Sequence, residues 1–306
     1  MPLTTAVRQA RSPIGSWMRT RFPQTRWFAR RIRDEAARHP RQCRLPDDAP
    51  AWVHGLVGRA MDYRLRMALG PIDLAATRAA QLGAWWGTLE VPADLLWFGP
   101  FMQARIGLCQ AFLERHKPHR CRLAPDAEQT LARHCLWLSL AEGWIRNPEV
   151  EGGLWDALRG GPRADVDGVL PRAWVDDLAH LATVLMPEQL APLTRRPWHP
   201  NPEFAGAATV GGADGDLIAD DCLWEFKCTI RPAGTNQWLF QLLGYVLLDW
   251  DDRYALKRMG LVLPRQRAVL AWSMDHLLAA TQCPTPDLDR LRAEFRDLCE
   301  STAGRP

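Results

Sequence analysis

Lysine is nearly absent from this chain. Lys117, Lys227 and Lys257 are the only three in a Lys+Arg total of 38, so arginine carries almost all the basic charge. No segment reaches the uninterrupted apolar length of a membrane span, which argues against a helical membrane protein. No apolar run followed by a cleavage site opens the sequence, so a cytoplasmic location is expected. Cys-x-x-Cys pairs and tight Cys/His clusters are also missing. The cysteines fall at 43, 109, 121, 135, 222, 228, 283 and 299, a spacing that speaks against structural zinc and iron-sulfur sites. In a cytoplasmic chain such scattered thiols are expected to stay reduced, with Cys222 and Cys228 simply packing. There is no internal repeat and no low-complexity tract.

What is present allows a substantial core, since 306 residues suffice for one large domain or two small ones. The net charge of +3 is modest and names no partner, but its distribution is uneven. Residues 1–50 carry eleven arginines against Asp34, Glu35, Asp47 and Asp48, with Trp17, Phe22, Trp27 and Phe28 interleaved. Two readings fit this arm. It could meet phosphates with its arginines and stack bases on its aromatics, or it could be amphipathic, packing the aromatics on the domain and leaving a solvated basic face.

After a Pro/Asp linker at Pro46 to Pro50, apolar periodicity predicts helices over 52–69, 73–82, 100–116, 127–146 and 172–185. Breaks such as Gly70-Pro71, Lys117-Pro118 and Gly160-Gly161-Pro162 separate them. Beyond Pro197 the texture changes. Strands are expected at 205–210, 214–219 and 222–228, followed after Gly234 by a helix over 237–249 capped by Thr235 or Asn236. A second hairpin over 261–263 and 269–272 and a helix over 286–299 complete the pattern. The expected class is α/β with a mixed central sheet flanked by helices and preceded by a helical region. The expected division is a basic arm over 1–50 and a domain over 51–300, helical to 196 and sheet-bearing from 197.

The first hairpin carries the most informative charges. With a turn at Asp220-Asp221, Asp216 falls opposite Glu225 and Asp214 opposite Lys227. Strand alternation then sets these four on one face and Leu217, Trp224 and Phe226 on the other, one face chemistry and the other core. Lys227 is a pointed choice in a lysine-poor chain, because a planar guanidinium cannot mimic a compact ammonium beside a metal. It is also the one lysine that sits two residues after an acid. Ordinary strand residues of an unrelated α/β protein would instead carry these charges on an open, solvated face.

The order of elements, with Asp216 on the second strand and Glu225-Phe226-Lys227 on the third, resembles the PD-(D/E)xK nuclease superfamily over about residues 52–275. Gly215-Asp216 stands where the family name has Pro-Asp. The following helix carries Gln241 and Tyr245 four residues apart, on one helix face, similar to the Gln-x-x-x-Tyr element of the RecB-like branch. Gly58-Arg59-Ala60-Met61-Asp62 sits where that branch has Gly-x-x-x-His, with Asp62 in place of the histidine, although an ion pair with Arg66 accounts for the acid equally well. Glu142 interrupts the apolar stripe of Leu131, Cys135, Leu138 and Ile145, so it must meet a cation, either a metal or an arginine.

The resemblance implies a restriction-endonuclease-like core and a metal-dependent nuclease. Asp216 and Glu225 would bind Mg²⁺ or Mn²⁺, with the Phe226 carbonyl as a third oxygen and Asp62 or Glu142 completing the shell. Lys227 would orient the attacking water or stabilise developing charge, while Gln241 and Tyr245 would position the substrate phosphate. The expected partner is nucleic acid, DNA ahead of RNA, and no membrane. No phosphate-binding Gly-x-x-x-x-Gly-Lys-Ser/Thr is present, so unwinding would need a helicase or another repair or defence partner. The competing expectation is a catalytically silent nucleic-acid-binding or assembly module on the same fold.

Overall fold

Residues 1–85, 93–119, 121–146, 158, 167–185, 187–232 and 235–303 are described in a computed structural model of the protein, and they form twelve helices and five strands. The expected Gly160-Gly161-Pro162 break and Gly234 lie outside the described residues. The N-terminal arm folds as α1 (Leu3–Arg8), α2 (Pro13–Arg21) and α3 (Arg26–Ala36). Ser12 caps α2 by accepting the Gly15 N–H at 2.9 Å, and Pro13 occupies the first position, where no N–H is needed. Then come α4 (Ala51–Leu69), α5 (Arg78–Trp85), α6 (Phe98–His116), α7 (Pro125–Arg146), α8 (Arg172–Val184) and the single turn α9 (Pro187–Leu190). The sheet-bearing part contains β1 (Trp198–Pro200), β2 (Leu217–Ala219), β3 (Cys222–Phe226), α10 (Thr235–Leu248), β4 (Arg258–Leu263) and β5 (Ala268–Ser273). It closes with α11 (Met274–Ala280) and α12 (Leu288–Ala303).

Packing divides the chain into two compact units. One comprises residues 1–41, 187–227 and 231–306, and the other 42–186 and 228–230. The basic arm is thus joined to the sheet, and the helices from α4 to α8 form a body of their own. In that helical unit α4 packs chiefly on α7. Inside it, Arg64 and Glu128 form a buried bidentate pair at 2.6 and 2.7 Å. No described helix is long and apolar enough to cross a membrane.

The sheet runs β1-β2-β3-β4-β5, antiparallel except for β3 and β4, which are parallel and joined through α10. A parallel pair needs such a crossover, and the apolar sequence of α10 lets it bury most of its surface on the sheet. Pairing of Leu217 with Trp224 and of Ala219 with Cys222 puts the turn at Asp220-Asp221, as expected. Arg258 fixes that turn, donating to Asp221 at 2.5 Å and to Asp220 at 2.9 Å.

Several expectations need correction. Residues 205–210 contain a 3-10 turn, Ala207–Val210, and the first strand lies earlier, at Trp198–Pro200. The cause is distant in sequence: the Gly206 N–H bonds the Leu248 carbonyl at the end of α10, and a Cβ at Gly206 would come within 2.6 Å of the Trp250 ring. The hairpin strands are shorter than expected, with ladder pairing confined to 217–219 and 222–224, and Asp214 forms an isolated bridge with Glu203.

The hairpin also lacks a wet face. Ile218 and Leu223, the latter on the same side as Glu225 by strand alternation, belong to the main apolar core of this unit. Leu217 and Trp224, on the opposite side, are equally buried. Parallel β3 is therefore covered on both faces, as a strand inside a βαβ unit must be.

The aromatics of the arm enter the same core. Phe28 packs on Trp272 at 4.8 Å and Trp17 on Phe295 at 5.2 Å between ring centroids. Of the two readings of the arm, packing accounts for its aromatics, and base stacking on them is excluded for Phe22 and Phe28, which are fully buried.

Candidate functional site

The hairpin charges gather where β3 ends. Glu225 is the last but one residue of β3 and is only 4% exposed, which rules out a solvated surface position. Lys227 lies two residues on, so alternation returns its side chain to the face of Glu225. Its Nζ donates to Glu225 Oε1 at 2.6 Å and to Gln241 Oε1 at 2.9 Å. An ammonium has three N–H groups, so one remains for a ligand.

Asp216 sits one residue before β2. Extending the β2–β3 register by one position sets it across from Glu225, as expected, although ladder pairing stops at Leu217. Its carboxylate takes the place of a strand partner: Oδ2 accepts the Phe226 N–H at 2.6 Å. Gly215 makes this close approach feasible, because a Cβ there would lie 2.9 Å from Leu223 Cδ1 and 3.2 Å from Pro202 Cγ. A glycine at 215 thus has a steric reason.

From α10, Gln241 and Tyr245 reach the same point, one helical turn apart. The Gln241 amide donates to Glu225 Oε1 at 2.8 Å and to the Tyr245 hydroxyl at 2.9 Å, while its oxygen accepts from Lys227. All its hydrogens and its oxygen have partners, which fixes the amide's orientation. Asp216, Glu225, Phe226, Lys227, Gln241 and Tyr245 are thus brought together in one compact unit.

Burial pushes the Glu225 carboxyl up to about 7, helped by the neighbouring charges of Asp216 and Asp214 and opposed by Lys227. Two strong donors favour the carboxylate, and desolvation with like charge favours the acid. Tyr245 is held well above the ordinary phenol range, first by burial and then by Glu225, so it stays neutral.

Glu225 Oε2 is buried with no hydrogen-bond partner among the described residues. An unsatisfied carboxylate oxygen inside a protein is costly, and a cation would satisfy it. The donor set is hard oxygen, which suits Mg²⁺ or Mn²⁺. The described residues hold no cluster of three or more His, Cys, Asp or Glu side chains arranged for a metal. Two carboxylates nonetheless match the way Mg²⁺ is commonly held, with water and substrate phosphates filling the other positions.

Asp62 and Glu142 belong to the helical unit and have partners there. Asp62 pairs with Arg66 one turn along α4. Glu142 accepts the buried Tyr63 hydroxyl at 2.8 Å.

The segment Asn201-Pro202-Glu203-Phe204, which carries no catalytic pattern in sequence, backs the site. Phe204 stacks on the Tyr245 ring at 5.6 Å, and Glu203 bridges Asp214. Its signal was faint, an aromatic beside a proline turn. Compared with known proteins, the chain matches no family model, no curated protein and no solved structure.

Proposed function

We propose that this protein is a divalent-metal-dependent nuclease of the PD-(D/E)xK type, hydrolysing phosphodiester bonds with DNA as the preferred substrate. The observation that carries the reading is the single network of Asp216, Glu225, Lys227, Gln241 and Tyr245 around a buried, unpartnered carboxylate oxygen. The order of antiparallel β1 to β3, helix α10 and parallel β4 supports a restriction-endonuclease-like core.

Asp216 and Glu225 would hold Mg²⁺ or Mn²⁺, with the Phe226 carbonyl as a further oxygen. When bound, such a cation supplies a more acidic water and offsets charge on the reacting phosphate. Lys227 directs its remaining N–H at the attacking oxygen or the developing negative charge. Gln241 keeps both Lys227 and Glu225 in place, acting through them as a positioning residue. Neutral Tyr245 offers its hydroxyl proton to a phosphate oxygen.

The test is direct. Purified protein is incubated with linear and covalently closed DNA, single and double stranded, and with RNA, in Mg²⁺, Mn²⁺ or a chelator. Metal-dependent cutting that falls at least a hundredfold in Lys227→Ala supports the reading. No cutting of any substrate, or equal cutting by Lys227→Ala, overturns it, and metal-independent binding without cutting favours the silent module.

A further inference from the structure

Helix α3 presents two kinds of arginine. Arg30 and Arg31 point to Asp34 and Glu35 one turn on and pair with them. Arg26 and Arg33 are exposed, and their side chains form no hydrogen bond or ion pair with any described residue. These two, with Arg19 of α2, line a groove of about 650 Å³ whose other wall is the first turns of α10, including Asn236, Gln237 and Phe240. Among the described residues, no acidic side chain lines it. Arg19 is held rigidly, donating to the Gly15 carbonyl at 2.6 Å with its guanidinium over the Phe240 ring at 5.6 Å.

An arginine without a counter-ion costs self-repulsion, and three around one acid-free concavity make a site for anions. We propose that this groove receives the sugar-phosphate backbone of a nucleic-acid strand and leads it to Glu225. The inference rests on the nuclease reading for its destination, because Phe240 in the groove wall is followed by Gln241, which bonds Glu225 at 2.8 Å.

Arg26 and Arg33 are seven residues apart, about 10 Å along the helix, which fits separate phosphates of one strand better than a single small anion. The groove's aromatics, Phe22 and Phe240, are buried. Neither ring is free to stack on a base or insert into a lipid surface, so the arginines make the contact, and they make it with phosphates. Binding through it is therefore independent of sequence and steeply dependent on salt.

The experiment measures binding apart from cutting. Fluorescent single- and double-stranded DNA is titrated with the full chain in chelator across a salt series, using wild type, Arg26→Ala/Arg33→Ala and, as a control of equal charge, Arg290→Ala/Arg296→Ala on α12. The Arg26→Ala/Arg33→Ala variant should bind at least roughly tenfold more weakly, with a log–log salt slope shallower by about two, while Arg290→Ala/Arg296→Ala should match wild type. Arg26 and Arg33 are exposed and unpaired, so thermal scans should show all variants folded alike.

Equal binding by Arg26→Ala/Arg33→Ala and the control overturns the proposal. So does an equal loss of binding to phosphatidylserine vesicles or polyglutamate, which would make the groove a general anion or membrane surface. Cutting in Mg²⁺ with normal binding by Arg26→Ala/Arg33→Ala sinks the groove and leaves the nuclease standing. Groove-dependent binding without cutting does the reverse.

Discussion

Lys227 Nζ stands 2.6 Å from Glu225 Oε1, while the other oxygen of that carboxylate is buried and unpartnered. The ammonium neutralises one side of a group whose burial favours the protonated form, and leaves the other side to an incoming cation. A carboxylate so placed links stability, pH and metal.

The sign of that linkage is opposite to the usual acidic residue. The folded Glu225 carboxyl is raised from the ordinary value near 4.5 to about 7, so between those values the folded state binds a proton that the unfolded state has lost. Its contribution is fully present below about 4.5 and is lost as pH rises through about 7. Thermal scans of metal-free protein from pH 5 to 8 should show wild type losing stability relative to Glu225→Gln, on the order of 2 kcal/mol. A pH-independent difference would remove the basis for the raised carboxyl.

The Gln241 amide should be worth more than the phenol it holds. Tyr245→Phe removes one acceptor and keeps the stack on Phe204, costing about 1 kcal/mol. Gln241→Leu strips Glu225 and Lys227 of a partner each and should cost about 2–3 kcal/mol, with a larger fall in cleavage than Tyr245→Phe. Urea denaturation of the two single variants and the double variant gives the coupling, expected above about 0.5 kcal/mol. Strict additivity would contradict the network.

Two glycines should resist alanine for different reasons. At Gly260 a Cβ would lie 2.4 Å from the Trp224 ring and 2.7 Å from the Leu270 carbonyl, and neither can retreat, so Gly260→Ala should cost about 2–3 kcal/mol. At Gly215 the nearest atoms are side-chain ends, so Gly215→Ala should cost about 1 kcal/mol while displacing Asp216. Its signature is reduced cleavage out of proportion to its melting shift.

In the helical unit, Glu128→Ala would strand the buried Arg64 charge and should destabilise by about 3 kcal/mol. Arg64→Met/Glu128→Leu removes both charges and should recover most of that loss. If the double variant is as unstable as the single one, packing and not charge governs this pair. Circular dichroism melts distinguish the cases.

Local signals were legible where they were strong and short in range. Periodicity found α4, α6, α7, α8 and α12 to within a few residues, and the Asp220-Asp221 turn fixed the β2–β3 register. The 3-10 turn at Ala207–Val210 was read as a strand because its hydrogen bond and its crowding come from the end of α10 and from Trp250, about forty residues on. Phe204 was passed over for the same reason, since its partner Tyr245 is distant in sequence.

By itself the sequence determined which groups could do chemistry: Asp216, Glu225 and Lys227 by strand alternation, Gln241 and Tyr245 by helical spacing. These are nearest-neighbour geometries that no packing can change. Only the tertiary structure decided their environment. It buried β3 on both faces, joined the basic arm to the sheet, gave Glu142 to Tyr63, and left Glu225 Oε2 without a partner. Burial and partnership depend on what folds over a residue from elsewhere in the chain, and the order of residues does not carry that locally.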